Sequence, residues 1–370
     1  MEPLEEAGRP RRLRVALTIE QCWHDVPGGT AVAALGMARG VLSTGEADVA
    51  GVSARHRRPP PEPWVPPFAV RSMPLPRPAL YESWHRLRAP KVERATGRVD
   101  LIHATSFPMP PRSAPVVLTI HDLAWLADPS HFTRRGVSFF RRGLDLALRD
   151  ADLVTCPSET TRADCVRQGF APERVRVVPL GVDAARPAPQ RVEEVTRRYG
   201  LTRPYVLWTG TIEPRKNLGG LVEAYRLLDA DLDLVLAGPR GWNEDLDARL
   251  GAARERVHVL GFVPAADLPP LYAGASVFCF PSFMEGFGFP VLEAMAQGTP
   301  VVTSAGTSTE ELAEGAGILV DPRDPQSIAA GMAEACERRD ELSAAGRERA
   351  QGYTWERTGR LLVEAYREVA

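Results

Sequence analysis

The sequence predicts an α/β protein built from two doubly wound, Rossmann-like domains that face each other across a cleft. Three observations lead there. Six short apolar runs in the first half, and six more in the second, are each followed by a helical pattern, as expected of strands buried on both faces of a parallel sheet. The length, 370 residues, exceeds what one core usually organises. Between the two sets lies "VDAARPAPQ", whose two prolines suit a linker.

In chain order the first-half strands are "LRVALTI" (13–19), "DVAGVS" (48–53), "DLIHATS" (100–106), "VVLTIHDL" (116–123), "DLVTCPS" (152–158) and "VRVVPLG" (175–181). The second-half strands are "YVLWTGT" (205–211), "LDLVLAG" (232–238), "VHVLGF" (257–262), "SVFCFPS" (276–282), "PVVTS" (300–304) and "GILVD" (317–321). This divides the chain into a domain over 1–182, a linker over 183–203, a domain over 204–350 and a terminal amphipathic helix within 351–370. In such sheets ligands bind beyond the carboxyl ends of the strands, so the predicted site is the cleft between the two sheets.

Composition narrows the function classes. A net charge of −2 gives no global attraction to nucleic acid. The five cysteines (Cys22, Cys156, Cys165, Cys279, Cys336) have neither metal-ligand nor redox spacing and read as reduced core residues. "MEPLEEAGRPRRLRV" holds no apolar segment before Leu13, and no apolar run is longer than a strand, so the expectation is a cytoplasmic protein without a leader or a spanning helix.

Chemistry should sit at the strand ends. Gly28 and Gly29 would turn the chain into a helix from Thr30, with bare N–H groups open to a phosphate or a sugar hydroxyl, although a plain β-α turn explains them equally well. The Gly-x-Gly-x-x-Gly fingerprint of nicotinamide and flavin sites is missing here. His121, beside Asp122 in "TIHDL", falls at the end of the fourth predicted strand, where it could hydrogen-bond a sugar or carry a proton. "GTIEPRKNL" places Arg215 and Lys216 on a strand-to-helix turn after Gly210, with no acidic partner beyond Glu213, which favours a diphosphate over a solvated charge pair. In "SFMEGFGFPVLEAMAQGTPVV", Pro290 and Gly298 delimit a short helix over 290–297, with Glu293 in its first turn and Glu285 in the glycine-flanked loop before it. Two carboxylates at one rim accept hydrogen bonds from diols, while Gly286 and Gly288 let a ligand approach the backbone.

Taken together, "EGFGFPVLEAMAQGTPVV" with its Glu-x7-Glu spacing, "GTIEPRKNL", "TIHDL", the early "PGGT", "VVPLGVD" and "GFVPAADLPPLYAGASVFCFPS" resemble the retaining glycosyltransferases of the GT-B fold, specifically glycosyltransferase family 4. The likeness spans nearly the whole chain and keeps the family's order. The resemblance implies a donor-side second domain and an acceptor-side first domain, with the terminal helix crossing back to the first. Glu293 would hold the ribose of a nucleotide diphosphate sugar, and Glu285 would face the hexose. The backbone of Gly286, Phe287 and Gly288 would touch sugar and diphosphate. Arg215 and Lys216 would neutralise the leaving diphosphate in place of a metal, Phe262 and Val263 would flank the base, Gly29 the phosphate and His121 the transferred sugar. The same likeness favours GDP-mannose as donor, a co-substrate rather than a cofactor. Thr211 stands where some relatives carry a basic residue, which leaves phosphate binding to Arg215 and Lys216.

No Asp-x-Asp cluster sits at a strand end, so a metal-independent transfer is expected, with attack on the face the leaving group departs from. Residues 55–98 carry ten Lys or Arg against three Glu, interleaved with Trp64, Phe68, Tyr81 and Trp84. Residues 134–149 add five arginines against one aspartate. These segments could form a rim for a glycan or lipid-linked acceptor at a membrane surface, or simply a solvated loop and a charged helix face. Alternatives on the same fold are a phosphorylase, an epimerase or a non-catalytic nucleotide-sugar binding protein.

Overall fold

The computed structural model describes residues 11–24, 27–241 and 250–370. Two parallel sheets form the frame. The first has seven strands in the order β3-β2-β1-β4-β5-β6-β7: β1 (Leu13–Thr18), β2 (Ala47–Ser53), β3 (Val70–Ser72), β4 (Leu101–Ala104), β5 (Val116–Thr119), β6 (Leu153–Cys156) and β7 (Val175–Val177). The second has six in the order β10-β9-β8-β11-β12-β13: β8 (Tyr205–Thr209), β9 (Asp233–Ala237), β10 (Val257–Gly261), β11 (Val277–Phe280), β12 (Val301–Ser304) and β13 (Ile318–Val320). Both orders place the first strand of the sheet at an interior position, where the winding reverses and a crevice opens at the carboxyl edge. Every predicted run forms a strand; the apolar segments β5 and β8 are buried throughout, whereas β2, β7 and β10 are partly exposed.

One strand escaped the sequence. β3 lies within the proline-rich basic stretch, pairs only with β2, and carries Arg71 and Ser72 exposed on the sheet's edge. An edge strand tolerates proline neighbours and offers no buried apolar run to read. The rest of 55–98 is ordered too: a helix spans Arg77–Arg86, and Trp84 is buried with its indole N–H donating to Pro90 O. The reading of this stretch as a solvated loop is therefore corrected, and Trp84 belongs to the core rather than to a rim.

Residues 183–203 are also not a bare linker. Pro189–Arg198 is a helix whose Arg191 and Arg198 both pair with the buried Asp267 of the second domain. At the other end, the helix Trp355–Arg367 returns to pack on the helix Gly28–Ser43. The approach is close enough that a Cβ on Gly40 would meet Trp355 O at 2.1 Å, and one on Gly359 would meet the Gly40 backbone at 2.0 Å. Tyr366 then inserts its hydroxyl against His103 Nδ1 at 2.7 Å, deep in the first domain. The first contact ties 189–198 to the second domain, and the terminal helix joins the end of the chain to the first.

Candidate functional site

The site begins where β8 ends. Gly210 follows the strand at φ +150, and the chain then turns through Pro214–Lys216 to Asn217, which adopts the left-handed region at φ 54. Asn217 caps the next helix by accepting from Gly220 N, while its amide donates to Pro281 O at 3.0 Å and Pro322 O at 2.6 Å. That buried side chain fixes the turn against the ends of β11 and β13, and so fixes where Arg215 and Lys216 point.

Both cations point at Glu285. Lys216 Nζ donates to Glu285 Oε1 at 2.7 Å, Ser282 Oγ donates to the same oxygen at 2.6 Å, and Arg215 lies 3.0 Å from Oε2. Arg215 also pairs with Glu213 at 2.8 Å and donates to Met284 O at 2.7 Å. Glu285 is 8% exposed and Lys216 9%. Burial alone would raise the Glu285 carboxyl, but Arg215 and Lys216 overcome it and hold the group at about 2. Burial and the neighbouring guanidinium lower the Lys216 ammonium. Two sequence expectations are corrected here. The cation pair has a second acidic partner, and both oxygens of Glu285 are engaged rather than open to a diol.

The loop carrying Glu285 ends at Gly288, at φ +105, and the helix runs Phe289–Gln297 rather than from Pro290. Glu293 therefore falls past the first turn. It accepts from the Tyr272 hydroxyl at 2.9 Å, and Tyr272 shares a 2.7 Å hydrogen bond with Thr209 at the end of β8. Burial lifts this carboxyl to about 7, with Asp183 adding in the same direction against the Tyr272 hydrogen bond. The two glutamates that look alike in sequence are thus opposite in charge behaviour, one firmly ionised and one poised near neutrality.

The first domain closes on this loop. Gly286 presses against the end of β5, where a Cβ would lie 1.8 Å from His121 O. Its carbonyl accepts from Ser158 Oγ at 2.8 Å and Thr161 Oγ1 at 3.2 Å. Nearby, Glu311 accepts from Glu159 N at 2.9 Å and Thr160 N at 2.7 Å, placing a carboxylate at the N-terminus of the helix Glu159–Arg167. His121 Nε2 donates to Thr105 O at 3.0 Å, which leaves Nδ1 as the nitrogen with a free lone pair, and burial lowers the ring's pKa. The helix Gly28–Ser43 starts at Gly28 itself, two residues before the predicted start, and a Cβ on Gly29 would touch the Phe289 ring at 3.4 Å. The amino ends of two helices, one from each domain, therefore sit side by side.

Gly210, Arg215, Lys216, Glu285, Gly286, Phe287 and Gly288 lie on the turns after β8 and β11 of the second domain and Glu293 on the helix that follows. From the first domain His121 meets Gly286 and Gly29 meets Phe289, whereas a Cβ on Gly28 would have no neighbour within 4 Å. Phe262 stands apart, 72% exposed beyond β10, while Val263 beside it is buried. Sequence reasoning missed Ser282, Tyr272, Ser158, Thr161 and Glu311. Serines and threonines at strand ends carry no spacing signal, and Glu311 reads as an ordinary helix-start acid. Among the described residues no three His, Cys, Asp or Glu side chains converge as a metal site, and no helix is long and apolar enough to cross a membrane.

The chain is similar to known proteins in sequence and fold. Residues 203–338 match the family described as "Glycosyl transferases group 1", and residues 27–186 match "Glycosyltransferase Family 4". The chain is 34% identical to O-antigen chain mannosyltransferase B of Escherichia coli, over 72% of this chain and 74% of that one. It is 36% identical to a D-inositol 3-phosphate glycosyltransferase of Geodermatophilus obscurus, over 62% of this chain and 55% of the relative. Among solved structures, Anabaena HepE in complex with UDP and glucose superposes with a TM-score of 0.77 at 21% identity, covering 96% of this chain and all of that one.

The Glu285 clamp predicts a pH signature. Its pKa is depressed from 4.5 to about 2, so its contribution to stability is fully present above pH 4.5 and is lost as pH falls toward 2. Glu285→Gln should lower stability at neutral pH by about 3 kcal/mol, since it takes the counter-ion from buried Lys216 and one of two from Arg215, and should flatten the acid limb between pH 4.5 and 2. Urea melts across that range check it; an unchanged limb means the carboxylate is not clamped.

Proposed function

The chain belongs to the glycosyltransferases of family 4, and from that premise we propose that it moves a hexosyl group, mannose by preference, from a nucleotide diphosphate sugar to a glycan or lipid-linked acceptor, with retention and without a metal ion. The observation that carries the reading is the Arg215–Lys216 pair on the turn after β8, clamped on Glu285 where the loop's Gly286 meets the first domain, with two helix amino ends in contact through Gly29 and Phe289. A mannosyltransferase relative supports the sugar, and a fold neighbour holding UDP and glucose supports a nucleotide sugar in this architecture. Guanosine is preferred as the base, and exposed Phe262 offers a ring face to it.

In the proposed reaction the bond between the anomeric carbon and the diphosphate breaks as Arg215 and Lys216 meet the growing charge. The acceptor oxygen bonds the same carbon from the same face and passes its proton to the departing phosphate oxygen. His121 Nδ1 holds a sugar hydroxyl, and Glu293 holds the ribose diol. The acceptor approaches from the first domain, whose exposed Arg134, Arg135 and Arg141, with Arg55, Arg57 and Arg58, also suit an anionic membrane surface.

Three measurements check this reading. Lys216→Ala and Glu285→Ala, assayed with GDP-mannose and a mannosyl acceptor, should each lose about a hundredfold or more in kcat; full turnover by both dismisses the assignment. Because Glu293 titrates at about 7 and a diol donates best to an ionised carboxyl, GDP affinity should strengthen as pH climbs from 6 to 8. The slope should vanish in Glu293→Gln and with 2′-deoxy-GDP, and calorimetry showing the same slope in all three removes Glu293 from the ribose. Finally, the chain should pellet with phosphatidylglycerol vesicles at low salt and be released by Arg134→Glu with Arg135→Glu; no pelleting ends the membrane proposal.

A further inference from the structure

Several observations on the first domain belong to none of the groups described so far. At the carboxyl ends of β1, β2 and β4 lies a narrow notch lined by Thr18, Gln21, Ser53, Tyr81, Trp84 and Ser106, with room for about one water-sized group, roughly 10 Å³. Tyr81 also lines a second, open groove of about 310 Å³, formed with Pro78, Glu82, Thr133, Arg135 and Phe139 between the helices Arg77–Arg86 and Arg134–Asp150. Notch and groove therefore share a wall.

Gln21 is the unusual residue here. It is 3% exposed, and its amide nitrogen donates to Thr105 Oγ1 at 2.8 Å and Ser106 Oγ at 2.9 Å. The Thr105 hydroxyl proton is already committed to Thr18 O at 2.6 Å, so the amide must present its NH2 on that side. Its Oε1 is left buried without a partner, an arrangement that is unfavourable unless a donor arrives. The same deficit surrounds the groove. His85 stacks on Phe139 at 4.4 Å and has an unpartnered Nδ1, while Arg142, paired with Glu82, has an unpartnered Nε. Of six such buried side-chain atoms among the described residues, these three line the two cavities or pack on their lining.

The notch is also connected to the junction of the domains. Thr105 accepts from Gln21 through its hydroxyl and from His121 through its carbonyl, so a single residue separates the orphaned amide oxygen from the histidine beside Gly286. A ligand in this place lies at the carboxyl edge of the first sheet, one residue from His121.

We propose that the notch and groove are the acceptor subsite, taking a pyranoside whose ring lies against Tyr81 and Phe139 and one of whose hydroxyls donates to Gln21 Oε1. The inference rests on the glycosyl-transfer reading above and names where its second substrate sits. Aromatic faces suit the C–H face of a sugar, and the groove's Glu82 and Arg135 supply an acceptor and donors for the remaining hydroxyls. The notch, sized for one hydroxyl, makes Gln21 a selector of stereochemistry: a pyranoside with the engaged hydroxyl inverted leaves Oε1 unpaired.

The test uses n-octyl α-D-mannopyranoside as the probe, with binding followed by saturation-transfer NMR and nucleotide binding by the GDP-induced Tm shift. Gln21→Met keeps the side chain's length and removes the acceptor; Phe139→Leu removes the ring from the groove. The expected result is a probe Kd weakened about tenfold in Gln21→Met and several-fold in Phe139→Leu, with the GDP shift unchanged in both. Variants that bind the probe as the wild type does overturn the proposal. So does a wild type that shows no saturable probe binding while GDP still raises its Tm. A wild type that responds to neither overturns the donor reading and this inference with it.

Discussion

The buried carboxylate of Glu285 is the contact on which the rest of the site depends. It adds charge to a junction that hydrogen bonds from Asn217, Arg215 and Ser282 also hold: the turn after β8, through Lys216 and Arg215, meets the loop after β11, through Ser282. An ion cluster this dry is favourable only when its hydrogen-bonding capacity is filled, and here three donors serve two oxygens. Ser308 Oγ donates to Glu285 O at 2.7 Å and Ser304 Oγ to Ser282 O at 2.6 Å, so the loop backbone is tied to the strand behind it as well. What results is a rigid ledge from which Gly286 can reach into the other domain.

That reach explains the choice of residue at 286. No side chain fits between the loop and His121 O, and the carbonyl of the same glycine receives both Ser158 and Thr161. The domain contact is thus made by backbone, supplemented by Glu311 at the start of the helix Glu159–Arg167 and anchored at a distance by the terminal helix, whose Tyr366 bonds a His103 kept neutral by burial, its pKa lowered to about 3. These polar contacts are individually weak, and the packing of the terminal helix on the helix Gly28–Ser43 adds apolar contact beside them.

How much of this was legible follows from what carries a pattern. Strands such as "VVLT" and "YVLWT" are apolar on both faces and announce themselves, whereas β3 pairs along one edge only and hides among prolines. Glycines and charges at strand ends could be read, because few residues suit a tight turn or an anion. The pairing of Arg215 and Lys216 with Glu285 could not, since the partners lie 69 residues apart and only the fold brings them together. For the same reason the sequence could not tell Glu285 from Glu293. Both are buried, but two cations pull the Glu285 carboxyl down while Glu293 has none and is lifted by its burial, and neither setting is visible in local spacing.

The paired cations also change the argument about a diphosphate. Arg215 and Lys216 carry two positive charges, and Glu213 and Glu285, both in contact with them, carry two negative ones, so this turn offers no net charge to an incoming anion. A diphosphate gripped there must either displace Glu285 from its cations or draw on another source of positive potential. The two helix amino ends provide one, since neither carries a side-chain cap and Gly29 of one approaches the Phe289 ring of the other. On the proposed reading, backbone dipoles hold the ground-state diphosphate, while the cations, already desolvated and oriented by Glu285, respond to the extra charge that appears only as the glycosidic bond breaks. A clamp that keeps its cations fixed but partly neutralised thereby favours the transition state over the bound donor, which is the discrimination that raises kcat rather than merely tightening binding.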